Sequence, residues 1–175
     1  MNTILLLLVL ISSYDRSYLK QKIFINNYIV YEDVCTLSLD DFIYDLGFRE
    51  STNRYYIVNT YGYLGRYQFS YRTLKNLGFN VSKKEFLQNE LLQDQALIQL
   101  LLHNKQLLNK TIKEYDGKYV NGIRVTESGI LAAAHLLGPY RVKRYLKYGE
   151  IAQDGYGTTV TDYISHFSGY SLNLG

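Results

Sequence analysis

Glu50 is the residue best placed to do chemistry. It closes an apolar helical stretch and opens a polar segment rich in Tyr and Gly. A carboxylic acid at such an edge is partly desolvated, and desolvation raises a carboxyl pKa. A raised pKa keeps the proton on Glu near neutrality, ready for donation to a leaving oxygen. On base rates alone, a Glu at a helix end is a solvated surface residue. Its neighbourhood makes it a candidate. The other reactive residue types form no comparable pattern. His135 lies in an apolar helix, where a hydrogen-bonded core histidine is the ordinary case; His103 reads as structural and His166 as surface. The three do not have metal-ligand spacing, and the single Cys35 excludes both an intrachain disulfide and a Cys-rich zinc site. Gly62-x-x-Gly65 lacks the Lys-Ser/Thr of a phosphate loop. Arg141, Lys143, Arg144 and Lys147 read as the solvated face of a helix.

The elements that must position Glu50 follow from caps and periodicity. Ser38 is an N-cap, Asp40 and Asp41 occupy the first turn, and Phe42, Ile43 and Leu46 form the apolar face of a helix ending near 49–51. Residues 53–65 hold a β-like alternation around Tyr55-Tyr56-Ile57-Val58 and the turn glycines Gly62 and Gly65. A short helix is expected over 67–77, stopped by Gly78. Another starts at Ser82, with Glu85 at the capping-box position. The longest amphipathic stretch runs over 89–115, with Leu92, Ala96, Gln99 or Leu100, His103 and Leu107 on related faces. Asn121-Gly122 is a turn. Thr126 then caps a helix apolar on nearly all sides, which belongs in a core. Gly138-Pro139 breaks it and opens a helix over 140–148. A Gly/Thr loop over 155–158 leads to a last helix through Val160, Tyr163, Ile164 and Phe167.

The chain has 175 residues, 47% of them hydrophobic and 20% charged, which fits one ordinary domain and excludes a low-complexity polymer. A net charge of +3 suits an anionic partner but supplies no dense basic stripe, so no nucleic-acid partner is expected. The apolar run at 4–11, followed by Ser12 and Ser13, is too short for a transmembrane helix, which takes about 20 residues. Although no Lys or Arg precedes it, it reads as an export signal over 1–13. Residues 14–36 form an N-terminal extension without clear period, read as a short helix and then a strand. Residues 37–175 form the main domain, mainly α with a small β-turn insert.

Three segments of that domain carry a resemblance. Glu50-Ser51 followed by Gly62-Tyr63-Leu64-Gly65-Arg66-Tyr67-Gln68 resembles the signature of the lytic transglycosylases of the lysozyme-like superfamily. In that family a Glu-Ser pair ends a helix and a Gly-x-x-Gly-x-x-Gln segment follows. Ala133-Ala134-His135-Leu136-Leu137-Gly138-Pro139 is similar to the family's Ala-Ala-Tyr-Asn-Ala-Gly-Pro run, and Thr159 to Ile164 to its Thr-x-x-Tyr-Val segment. The order matches over about residues 37–167. His135 and Leu136 stand where the family has Tyr and Asn, Arg66 and Tyr67 replace Leu-Met, and the Asn-Ile-x-x-Gly segment of the long helix is missing. These departures mark a divergent branch.

The resemblance implies a lysozyme-like (α+β) domain that binds peptidoglycan glycan strands and needs no cofactor or metal. It implies Glu50 as the catalytic acid/base and Gln68 in the sugar cleft. It also implies Gly62 and Gly65 as glycines that let the protein backbone approach the glycan, and Tyr163 as the tyrosine that orients Glu50. Ser51, Tyr67 and His135 complete the expected substrate-binding set. Two-carboxylate glycosidases hold the pair about 5–5.5 Å or about 6.5–9.5 Å apart. Residues 51–69 contain no Asp or Glu, and Glu90, Asp94, Glu127, Asp154 and Asp162 read as capping or surface groups. A single acid fits lytic transglycosylation, in which the sugar's own 6-hydroxyl closes a 1,6-anhydro ring. A hydrolytic muramidase and a non-catalytic glycan-binding module are the alternatives. The expected setting is periplasmic or secreted, monomeric, with transient membrane proximity. Of the nineteen tyrosines, Tyr55, Tyr56, Tyr61, Tyr63, Tyr67 and Tyr71 are expected to border the cleft, since a ring face with a hydroxyl suits sugars.

Overall fold

The computed structural model describes the backbones of Tyr18–Ile25 and Tyr28–Cys35 and residues 37–174 in full. The run at 4–11 read as an export signal lies outside the described residues. The chain divides into two compact units, Met1–Thr36 and Leu37–Gly175. In the first, β1 (Tyr18–Ile25) and β2 (Tyr28–Cys35) pair antiparallel, Tyr18 with Cys35 and Ile25 with Tyr28. A helix was expected in part of this stretch. The β-branched and aromatic residues at Ile23, Phe24, Ile25, Ile29 and Val30 favour strand, and that preference wins.

The second unit is mainly helical. It runs α1 (Leu39–Ser51), α2 (Tyr71–Asn76), α3 (Lys83–Leu87), α4 (Glu90–Tyr115), β3 (Tyr119–Val120), β4 (Ile123–Arg124), α5 (Glu127–Leu137), α6 (Pro139–Tyr148) and α7 (Val160–His166). The expected N-caps form. The Ser38 hydroxyl accepts from the Asp41 N–H while the Asp41 carboxylate accepts from the Ser38 N–H. Thr159 and Asp162 repeat this reciprocal box at α7, and the bonds from Thr159 hold the Asp162 carboxyl below its usual range. At α3 the Ser82 hydroxyl accepts from the Glu85 N–H. Asn121 and Gly122, both at positive φ, turn the β3–β4 hairpin.

α5 sits at the centre. Gly129 through Ala134 are all buried, as an all-round apolar helix requires, and α4, α6 and α7 pack against it. Leu97, Leu101 and Leu108 of α4 are fully buried, each contributing about 2 kcal/mol. Gly129 is where α5 meets α7 most closely: a Cβ there would lie 2.5 Å from the Ile164 carbonyl oxygen. The buried face of α4 is rotated from the expected one. Gln93, Leu97, Asn104 and Leu108 turn inward, whereas His103 and Leu107 are exposed.

The helix expected over 67–77 begins four residues later, at Tyr71. Ser70 caps it by accepting from the Thr73 N–H. The preceding residues are drawn instead into single β-bridges, Val58 with Leu64 and Leu64 with Phe69, and Gln68 adopts φ +51°. Among the described residues no helix is long and apolar enough to cross a membrane.

Candidate active site

The last turn of α1 sets the site. Glu50 is its penultimate residue; Thr52 and Asn53 then turn left-handed (φ 55° and 58°), so the chain leaves sharply. Ser51 fixes that exit from beneath. Its hydroxyl donates to the Arg66 carbonyl (2.8 Å) and accepts from the Arg54 N–H (3.0 Å), joining the helix end to the returning loop. The loop is held from the other side by α4. The fully buried Gln93 amide accepts from the Arg66 N–H (2.8 Å) and donates to the Tyr55 and Phe86 carbonyls (3.0 Å each). Gly65 passes directly over this amide at φ +71°, and a Cβ there would collide with the Gln93 side-chain oxygen.

Next to Gln93, Asp94 collects the Tyr67 hydroxyl (2.6 Å), the Tyr55 hydroxyl (3.3 Å) and the Arg66 guanidinium (3.3 Å). Arg66 also bonds Asn53 and Tyr55, and lies 5.0 Å from the Tyr67 ring centroid. Asp94 is therefore not the surface or capping group expected of it. It anchors the loop.

A cleft of about 1150 Å³ opens above this framework. Glu50 lines it with a side chain only 12% exposed. The Tyr163 hydroxyl of α7 donates to Glu50 Oε1 (2.6 Å), and His135 Nε2 of α5 lies 3.6 Å from the same oxygen. His135 Nε2 also sits 2.9 Å from the Tyr67 carbonyl oxygen. A carbonyl can only accept, so Nε2 carries the hydrogen. Nδ1 on the far side of the ring is buried without a partner, and the ring meets Phe69 edge-on at 5.7 Å.

Burial raises the Glu50 carboxyl above its ordinary value. His135, the Tyr163 bond and Arg49 pull it down, while Asp154 adds to the rise; burial prevails. Burial and the Glu50 charge likewise push the Tyr163 phenol up, so it stays a donor. Arg49 stacks 4.9 Å from the Tyr163 ring centroid, steadying it.

No protein-family model matches this chain, and neither characterised proteins nor solved structures give a match. The assignment of residues therefore rests on where this structure puts them. Glu50, Gln68, His135 and Tyr163 meet at the cleft. Gly65, Ser51 and Tyr67 do not line it. Gly65 is needed for the Gln93 contact and Ser51 for the loop latch. Tyr67 is fully buried, with its hydroxyl spent on Asp94. The expected tyrosine border also contracts. Tyr61 and Tyr63 line the cleft, whereas Tyr55 and Tyr67 serve Asp94, Tyr56 donates to Glu90 (2.7 Å) and Tyr71 to the Val81 carbonyl (2.8 Å).

Three other cleft residues were not read as functional from the sequence. Asp154 faces the cleft, and one of its oxygens accepts from the Tyr156 and Thr158 N–H groups (2.9 and 2.8 Å). His103, read as structural, is exposed on the cleft edge. Asn104 contributes a buried side-chain N–H₂ with no partner. These converge only through the packing of α4 and the 153–158 loop, and no local sequence signal marks them. Among the described residues no group of three or more His, Cys, Asp or Glu could hold a metal ion.

Proposed function

We propose that the chain is a lysozyme-like enzyme that cleaves the glycan strands of peptidoglycan by lytic transglycosylation. The observation that carries this reading is the Glu50 carboxyl. It is buried in a cleft wall, held toward its protonated form, and bonded by a single phenol that fixes its direction. A cleft carboxyl whose hold on its proton is strengthened by burial is suited to general-acid work.

In the proposed reaction Glu50 gives its proton to the glycosidic oxygen between N-acetylmuramic acid and N-acetylglucosamine. The C1–O bond breaks while the substrate's acetamido oxygen bonds C1. Glu50, now a carboxylate, takes the proton of the 6-hydroxyl as that oxygen attacks C1 and displaces the acetamido oxygen. The result is a 1,6-anhydro end and a regenerated acid. The Tyr163 phenol steadies the carboxylate between the two transfers. An exported, periplasmic or secreted setting is part of the same reading.

One observation favours a second reading, a hydrolytic muramidase. Asp154 is the other carboxylate on the cleft, and its charge is felt at Glu50. As a base it could activate water, as an inverting mechanism requires.

Digestion of purified sacculi by wild type, Glu50→Gln and Asp154→Asn, with mass analysis of the products, tests both. Anhydro ends from wild type and Asp154→Asn, lost in Glu50→Gln, are expected. Reducing ends lost in both variants would replace transglycosylation by hydrolysis. Retained sacculus binding with no product from any protein would leave a binding module.

A further inference from the structure

Two loops far apart in sequence meet at the cleft. Residues 57–63 follow α1, and residues 153–158 precede α7. Each supplies cleft-lining residues, Thr60 and Tyr61 from the first and Gly155 and Tyr156 from the second. They are also joined to one another. The Thr60 and Tyr156 hydroxyls lie 2.7 Å apart, and the Tyr61 hydroxyl donates to the Gly155 carbonyl (2.9 Å). The Tyr61 and Tyr156 rings pack edge to face at 4.9 Å between centroids.

Gly155 makes the approach possible, since a Cβ there would lie 2.9 Å from the Tyr61 ring. Both loops are stiffened from within. The Asn59 side chain accepts from the Tyr61 and Tyr63 N–H groups (2.9 and 3.0 Å), and Asp154 does the same for Tyr156 and Thr158. Two hydrogen bonds and a ring contact thus join two braced loops that both line one cleft.

A long polymer laid sideways into an open groove meets no such obstacle. A bridged cleft is different, because its interior can be reached only by a free chain end unless the bridge parts. We propose that the joined Thr60/Tyr61–Gly155/Tyr156 loops close over the cleft as a bridge and restrict this protein to the ends of glycan strands, so that it trims strands and does not cut within them. The inference rests on the glycan-cleavage reading above and names the part of the substrate that it takes.

The test uses the full chain and isolated, uncrosslinked glycan strands, with product lengths followed by chromatography from the first per cent of conversion. Wild type is expected to release short end fragments while the remaining strands shorten gradually. Tyr156→Ala, which removes the ring contact and one hydroxyl, is expected to raise mid-length fragments several-fold at equal conversion. Combined Thr60→Val and Tyr156→Phe keep the ring and remove the hydroxyl pair, and should move the distribution in the same direction by less. These variants carry the test should the alanine variant fold poorly.

Mid-length fragments from wild type at the earliest time would overturn the inference. So would end fragments from wild type with an unchanged pattern in both variants. No product of any length would instead sink the glycan-cleavage reading and this inference with it, a result distinct from internal cutting.

Discussion

Asp94 and Glu50 are two acidic side chains beside one loop, Glu50 in the helix turn that opens it and Asp94 on α4 against its returning arm, and they are treated in opposite ways. Asp94 is 39% exposed, yet it is supplied with two phenols and a guanidinium. Glu50 is 12% exposed and receives one phenol at bonding distance, with an imidazole held off at 3.6 Å. A carboxylate surrounded by donors is fixed in place by them and serves as an anchor. One that is buried and sparsely supplied keeps its proton within reach and serves as a reagent. Acid type and local sequence do not separate the two. Donor count against burial does.

The comparison breaks most visibly if Glu50 is dispensable. Glu50→Gln keeps the shape and removes the transferable proton, and a loss of about 10²–10⁴-fold in kcat on glycan strands is expected. Asp94→Ala should act on the other quantity. It strips a charged acceptor from Arg66, Tyr55 and Tyr67, and a urea titration should show a loss of about 2 kcal/mol. If instead Asp94→Ala left stability intact and abolished turnover, the roles drawn here would be exchanged.

Tyr163→Phe sharpens the contrast. The Tyr163 bond lowers the Glu50 carboxyl, so its removal should raise it further and move the alkaline limb of the rate profile to higher pH. A fall of about 10-fold in kcat with little change in KM is expected, equivalent to about 1.4 kcal/mol of transition-state stabilisation. A merely structural tyrosine would not shift the limb.

The smallest effect is on stability. A carboxyl raised in the folded state binds protons there that the unfolded chain has already released. Folding stability from this group is full below the ordinary value of 4.5 and falls as pH rises through the raised folded value. Glu50→Gln removes that fall. Its melting temperature relative to wild type should therefore rise between pH 4.5 and neutrality, and a flat difference would contradict a burial-dominated shift.

The elements were legible where a local rule governs them. Ser38, Ser82 and Thr126 announced their helices because a cap acts within three residues. The long helix α4 showed in its periodicity, and Gly138-Pro139 marked the α5–α6 joint, which the structure makes at φ +81°. Glu50 was found from its place at a helix edge, Gln68, His135 and Tyr163 were implied by the resemblance, and the four meet at one cleft. What the sequence hid depends on distance along the chain. Gln93 bonds Arg66 across 27 residues, and nothing near Gly65 reveals that a buried amide forbids its Cβ. Tyr67 was expected at the cleft as one of the tyrosines that follow Glu50, but its backbone lies in a bridged turn that sends its ring into the core. The β1–β2 pair was missed although the turn-prone Asn26-Asn27 stood between two β-branched runs.

Gly129 reaches further than its position implies. It lies in the core and carries no functional group, yet it sets how closely α5 and α7 approach beside Ile164, the neighbour of Tyr163. α5 carries His135 and α7 carries Tyr163, so the spacing of the two helices is also the spacing of the two groups that flank Glu50. One added methyl there would push apart the jaws that grip the carboxyl. The tolerance of the reaction is thus written in a residue that never sees the substrate, and a lesion of function could arise there without touching the chemistry.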